Sequence, residues 1–135
     1  MVVPAAVAKA FGALINKDDP LTEGEKAEVR SMLEKHGSAF ANYTCGHGIR
    51  PLWVCAQHCS DPWRCELARE LVEQHGADVN FQCDNQHNLL NTLDNTSKRK
   101  GGRELTQYFL NRGTQIRQVR RHTIAAIENW LADDN

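Results

Sequence analysis

The segment His75–Asn80, with the sequence HGADVN, decides how the rest of the chain is interpreted, because its pattern occurs three times. In each copy a glycine ends a helical stretch, small or polar residues follow it, and an apolar residue comes next. The other copies are residues 36–40 (HGSAF) and 112–116 (RGTQI), so the glycines lie 39 and 37 residues apart. Self-similarity at a period of about 20 to 50 residues is typical of repeat proteins, and the chain is therefore predicted to consist of repeated units.

Each of the three glycines follows a segment with the apolar periodicity of an amphipathic helix. Before Gly37, Thr22 and Glu25 have the spacing of a capping box. Before Gly76, Asp61 is a candidate N-cap with proline at the first helical position. At the other end, glycine supplies the left-handed conformation that ends a helix. The predicted apolar stripes are Val29, Met32 and Leu33; Leu67, Ala68, Leu71 and Val72; and Leu105, Tyr108 and Phe109.

A second, shorter helix is predicted before each of these segments. The three candidates are residues 5–15, 51–58 and 89–94, and a final helix over residues 123–131 follows the last glycine, with Thr123 as its N-cap. After each glycine the chain is expected to run as an extended link. One helix pair is too small to bury its own apolar stripe, so neighbouring pairs are predicted to stack.

The second unit carries a family resemblance. Residues 48–56 (GIRPLWVCA) followed by residues 76–80 (GADVN) resemble an ankyrin repeat, whose consensus has Thr-Pro-Leu-His at the first helix and Gly-Ala-Asp-Val-Asn after the second. The segment Gly48–Asn80 matches best. The resemblance implies an all-α, ankyrin-type helix-turn-helix solenoid that forms one domain over residues 1–135. Its repeats would cover about residues 3–42, 43–80 and 81–117, with a C-terminal cap over 118–135.

The second unit departs from the ankyrin pattern at two kinds of position. Pro51 and Gly76 are 25 residues apart, against about 20 in a regular unit, so extra residues are expected in loops near 59–63 and, in the third unit, near 96–102. Arg50 replaces the usual threonine and Trp53 the usual histidine, so the Thr–His hydrogen bonds of the family cannot form. Trp53 either faces a partner or packs on neighbouring helices, and both interpretations stay open.

The resemblance implies non-covalent recognition of another protein on the concave helices and loop tips. Arg50 and Trp53 are the predicted hot spots, because arginine and large aromatic residues dominate the energetics of interfaces. Irregular repeats of this kind also suggest a bacterial or viral protein that acts as an effector inside a host cell. The complete set of predicted partner-binding residues is His47, Ile49, Arg50, Trp53, Gln57, His58, Asn85, His87, Asn91, Asn95, Arg120 and Arg121.

Composition and missing motifs narrow the remaining classes of function. The 135 residues, 41% hydrophobic and 24% charged, are typical of one soluble globular domain. Five cysteines without a secretory signal indicate reduced thiols in a cytoplasm. The sequence has no Gly-rich phosphate loop, nucleophile elbow or paired-histidine metal motif, so we expect neither catalysis nor a cofactor. A monomer is expected.

A basic segment supports one alternative function. Residues 97–121 hold 8 Lys and Arg against a single acidic residue, whereas residues 1–96 hold 8 against 13. The basic band over 98–121 could bind nucleic acid or another polyanion if its cations shared one face. Solvated surface is the favoured interpretation of this charge, and as a binding partner an acidic protein surface is favoured over nucleic acid. The cations are Lys98, Arg99, Lys100, Arg103, Arg112, Arg117, Arg120 and Arg121.

A cluster of cysteine and histidine residues over positions 45–65 supports a second alternative, a zinc site. Zinc needs four converging ligands, usually delivered by two tight pairs, and the spacing here matches no standard finger. In the ankyrin alignment Cys55 takes an inward alanine position, where cysteine behaves as a small apolar residue. Buried, metal-free cysteine is therefore the favoured interpretation. The possible ligands are Cys45, His47, Cys55, His58, Cys59 and Cys65.

Overall fold

The computed structural model describes residues 5–44, 50–82, 89–90, 101–114 and 125. These residues form helices and turns and contain no strand, which confirms the all-α class. Leu89 and Leu90 are also helical and are fully buried. The helices are α1 (Ala5–Ile15), α2 (Glu23–His36), α3 (Ser38–Ala41), α4 (Pro51–Gln57), α5 (Pro62–His75) and α6 (Gly102–Asn111).

The capping box predicted at the start of α2 is present. The Thr22 hydroxyl accepts a hydrogen bond from the Glu25 backbone N–H at 3.2 Å, and the Glu25 carboxylate accepts one from the Thr22 N–H at 2.8 Å. These bonds satisfy two backbone donors that have no partner within the helix. One turn further on, Val29 and Leu33 are buried, as their spacing predicts.

The charge on Glu25 makes the stability that this cap contributes depend on pH. Hydrogen bonds from the Lys17 ammonium and the Thr22 backbone lower the pKa of Glu25 from 4.5 to about 2. A carboxyl group whose pKa is lower in the folded state stabilises the fold above its unfolded pKa, and this contribution disappears as the pH falls towards the folded pKa. We therefore expect Glu25→Gln, which keeps a capping acceptor but removes the charge, to lower the melting temperature at pH 6, and we expect this difference to shrink steadily as the pH falls from about 4.5 to about 2. A carboxyl titration of Glu25 by NMR with a midpoint near 4.5 would contradict this.

Helix α5 also begins and ends as its sequence predicts. The Asp61 carboxylate accepts a hydrogen bond from the Trp63 N–H at 3.1 Å, and proline occupies the first helical position. Gly76 ends the helix with φ 67° and ψ 31°, in the left-handed region, and the Ala77 N–H donates to the Leu71 carbonyl at 2.8 Å. The predicted apolar stripe of this helix lies in the core.

The chain after Gly37 differs from the prediction. Gly37 has φ 45° and ψ −118°, outside the left-handed helical region, and the residues after it form the short helix α3 in place of an extended link. The reason is the burial of Phe40, whose ring stacks on that of Phe11 with centroids 4.9 Å apart. A helical turn directs this ring into the core.

The loop between α4 and α5 also differs from the prediction. Helix α4 ends at Gln57 and α5 begins at Pro62, so the loop between them covers only residues 58–61. Part of the expected insertion therefore lies within the 14-residue helix α5. The predicted loop at 96–102 and the helices at 89–94 and 123–131 lie mostly or wholly outside the described residues. The proposed repeat boundaries remain predictions.

Consecutive helix pairs pack against each other. Helix α1 lies against α2 and α4, while α5 lies against α4 and α3. An ion pair between Arg30 of α2 and Glu70 of α5, with nitrogen and oxygen 2.6 Å apart, joins the longer helices of the first two pairs. A second ion pair, between Glu73 and Arg112, joins α5 to the end of α6. The helices α2, α5 and α6 are thus connected in chain order.

The same kind of asparagine bond occurs twice in the described part of the chain. Asn42 lies five residues after Gly37 and donates from its side-chain amide to the Gly76 carbonyl at 3.0 Å. Asn80, four residues after Gly76, donates in the same way to the Gly113 carbonyl at 3.1 Å. Each bond reaches from the turn of one unit to the glycine that ends the long helix of the next. The sequence repeat therefore corresponds to a repeat of contacts.

Candidate partner-binding surface

Four of the predicted partner-binding residues lie in the described part of the chain, all on or beside α4. Every residue from Pro51 to Ala56 is buried, whereas Gln57 is exposed and Arg50 and His58 are partly exposed. Only the two ends of α4 are therefore open to a partner. The other predicted residues, which lie outside the described part, are His47, Ile49, Asn85, His87, Asn91, Asn95, Arg120 and Arg121.

Trp53 belongs to the hydrophobic core. The residue is 8% exposed and lies in the same cluster as its neighbours Leu52 and Val54. This position fits the interpretation that Trp53 packs on neighbouring helices. It does not fit the interpretation that Trp53 is an exposed hot spot. The physical reason is that α4 is enclosed on all sides, so a large ring in its middle turn is covered by other residues of the fold.

Gln57 and His58 line a cleft of about 350 Å³ at the end of α4. The loop between α1 and α2 forms one wall through Asp18 and Pro20. The α4–α5 loop and the start of α5 complete the lining through Ser60, Asp61, Pro62 and Arg64. The His58 ring nitrogen Nε2 lies 3.2 Å from the Asn16 side-chain oxygen, which connects the end of α4 to the end of α1. We call this cleft, together with Arg50 at the other end of α4, the docking surface.

Arg64 holds one wall of the cleft in place, a role that the sequence-based prediction missed. Its side chain is 2% exposed. Its terminal nitrogen Nη2 donates to the backbone carbonyls of Lys17 at 2.7 Å and Asp19 at 3.1 Å, and Nε lies 3.7 Å from the Asp61 carboxylate. The sequence did contain a signal that Arg64 is buried, because Arg64 precedes Leu67 and Ala68 by three and four residues and so shares their buried face.

Arg50 lies at a tip formed by the first two units. Its guanidinium lies over the Phe81 ring, 5.2 Å from the ring centroid, and donates to the Asn42 side-chain oxygen at 3.4 Å. That same oxygen accepts the Asp78 backbone N–H at 2.9 Å. The cation–π contact and the shared asparagine restrict the rotamers open to this arginine.

The described arginines of the basic band, Arg103 and Arg112, contact other residues of the chain. Arg112 forms an ion pair with Glu73, and its guanidinium lies over the Tyr108 ring, 5.3 Å from the centroid. Arg69 of α5 lies over the same ring at 5.5 Å. Arg103 has further contacts of its own. The band's other cations, Lys98, Arg99, Lys100, Arg117, Arg120 and Arg121, lie outside the described residues.

The described cysteines are buried, free thiols. Cys55 is fully buried, as its alignment with an inward alanine predicts, and desolvation raises the pKa of its thiol. Burial also raises the pKa of Cys65 to about 11, and its thiol donates to the Cys59 carbonyl at 3.1 Å. Among the described residues, no three His, Cys, Asp or Glu side chains lie close enough to hold a metal ion. Cys45 and His47 lie outside that part.

Comparison with protein-family models, curated proteins and solved structures finds no significant match. In the described segments, no helix is both long and apolar enough to cross a bilayer. A functional assignment therefore depends on the contacts within this chain.

Proposed function

We propose that this chain is an ankyrin-type repeat module that binds another protein without catalysis. The observation that carries the proposal is the recurrence of the asparagine bond from Asn42 to Gly76 and from Asn80 to Gly113. Units joined by the same contact form a stack whose surface is ordered before a partner arrives, and such a surface loses little conformational entropy on binding.

The partner docks at the ends of α4. The cleft beside Gln57 and His58 is concave and has polar groups on several sides, and the Arg64 hydrogen bonds keep its outer wall in position. Arg50 is the second anchor, at the tip. Because the middle of α4 is enclosed, the partner contacts the rim of the stack at this unit and does not reach Trp53.

We also propose that the module acts in a cytoplasm, either of the cell that produces it or of a host cell as an effector. Free thiols at Cys55, Cys59 and Cys65 are compatible with such a reducing compartment. The proposed state is a monomer without a cofactor.

A photo-crosslinking amino acid placed at Gln57 tests this function. The matched control carries the same group at Ala27, an exposed position of α2 away from the cleft. In an extract of the producing or host cells, we expect Gln57 to give one dominant protein adduct that survives nuclease treatment, and Ala27 to give none of it. Equal adducts at the two positions would contradict the proposed surface. An adduct destroyed by nuclease would favour the nucleic-acid alternative.

A further inference from the structure

Arg50 differs from three other described arginines in how its charge is matched. Arg30, Arg64 and Arg112 each lie within ion-pair distance of a carboxylate in the chain. Arg50 instead has an aromatic ring beneath its guanidinium and a neutral amide at one nitrogen. Within the described residues no carboxylate forms an ion pair with it. These contacts hold the partly exposed Arg50 in position, while no carboxylate of the described residues pairs with its charge.

The geometry suits one class of ligand group. A guanidinium carries five N–H donors in a planar fork, and the hydrogen bond to Asn42 engages Nη1. The Phe81 ring and the Asn42 oxygen hold the guanidinium from two sides, so less rotamer entropy is lost when a planar acceptor arrives. Carboxylates match this fork with two parallel hydrogen bonds, and such charge-assisted pairs are roughly twice as strong as neutral ones.

The surroundings favour a single carboxylate over a polyanion. Residues 1–96 hold 13 acidic against 8 basic side chains, so this part of the chain repels an extended phosphate backbone. Two exposed acidic residues lie close to the anchors: Asp78 shares Asn42 with Arg50, and Asp18 lines the cleft. One positioned cation within an acidic body can accept one acidic side chain without attracting nucleic acid.

We propose that Arg50 receives the carboxylate of an aspartate or glutamate side chain on the partner protein. This inference rests on the proposed function and specifies the chemistry of its partner. The partner therefore presents an acidic residue at the tip formed by Arg50, Phe81 and Asn42, at the opposite end of α4 from the segment that enters the cleft.

Selection from a random 12-residue peptide display library tests the inference without a known partner. We expect peptides selected on the wild-type protein to share an aspartate or glutamate at one position, and binding of such a peptide to weaken about tenfold in Arg50→Met. The matched control is Lys35→Met, which removes an exposed positive charge from α2 and should leave the affinity unchanged. Arg50→Lys, which keeps the charge but loses the fork, should lie between them.

A measurement on the wild-type protein avoids dependence on the folding of these variants. We expect the Arg50 Nε–H resonance to shift when a selected peptide is added, and to shift less when the acidic residue of that peptide is changed to its amide. Selected peptides without a shared acidic residue, or equal binding by Arg50→Met, would overturn the inference and leave the proposed function standing. A shift caused by an oligothymidine but not by the peptides would assign the site to phosphate and overturn it too. Failure to select any specific peptide would count against both proposals.

Discussion

Replacing Gly101 with alanine is expected to lower the free energy of unfolding by about 3 kcal/mol, since a left-handed conformation and a backbone clash both act against the new side chain. Gly101 has φ 87° and precedes α6. A Cβ atom there would overlap the Cys59 carbonyl oxygen and press on the Cys65 sulfur. The clash is with the backbone of the loop between α4 and α5, which cannot rotate away as a flexible side chain can. Urea unfolding of the purified variant measures the change.

Gly76→Ala is the matched control for this prediction. Gly76 also has a positive φ, but a Cβ added there meets nothing within 4 Å. We expect a loss of about 1 kcal/mol from conformation alone. Equal losses at Gly76 and Gly101 would show that the close approach between α6 and the α4–α5 loop does not exist in solution.

Trp53→Ala is expected to lower the free energy of unfolding by about 3 to 5 kcal/mol, because it leaves a large cavity in a packed core. Trp53 is 8% exposed and lies in the enclosed middle turn of α4. Gln57→Ala, four residues later on the same helix, removes an exposed side chain and should change stability by about 0.5 kcal/mol or less. Thermal unfolding followed by circular dichroism compares the two.

The opposite result would restore the functional interpretation of Trp53. If Trp53→Ala kept the melting temperature of the wild type but lost the partner captured through Gln57, the ring would be a contact residue and the middle of α4 would be open. We expect the reverse, with stability lost at Trp53 and affinity lost at Gln57.

Local features of the fold could be predicted from the sequence because they depend on neighbouring residues. The capping box of Thr22 and Glu25, the N-cap Asp61 and the left-handed Gly76 are short-range patterns with a specific hydrogen-bond geometry, and all are present. Helix α1 covers Ala5–Ile15, the bounds that its apolar run predicts. The apolar stripes of α2, α5 and α6 face the core for the same reason.

Features that depend on contacts between distant residues could not be predicted in this way. Helix α3 forms because Phe40 stacks on Phe11, which is 29 positions away in the chain. The cleft exists because Arg64 reaches the carbonyls of Lys17 and Asp19 across more than 40 positions. The enclosure of α4, which removes Trp53 from the docking surface, likewise depends on helices packed around it. No local pattern around these residues specifies such partners.

Hydrogen–deuterium exchange of the protein with and without the partner captured through Gln57 tests the central claim most directly. If the partner docks at the rim of the stack, binding slows exchange at the two ends of α4 and the adjoining tip, in residues 50–58 and 76–82. Backbone amides in the outer turns of α2 should exchange at unchanged rates. Protection confined to α2, or centred on the basic band over 98–121, would contradict the claim that the protein recognises its partner through the docking surface.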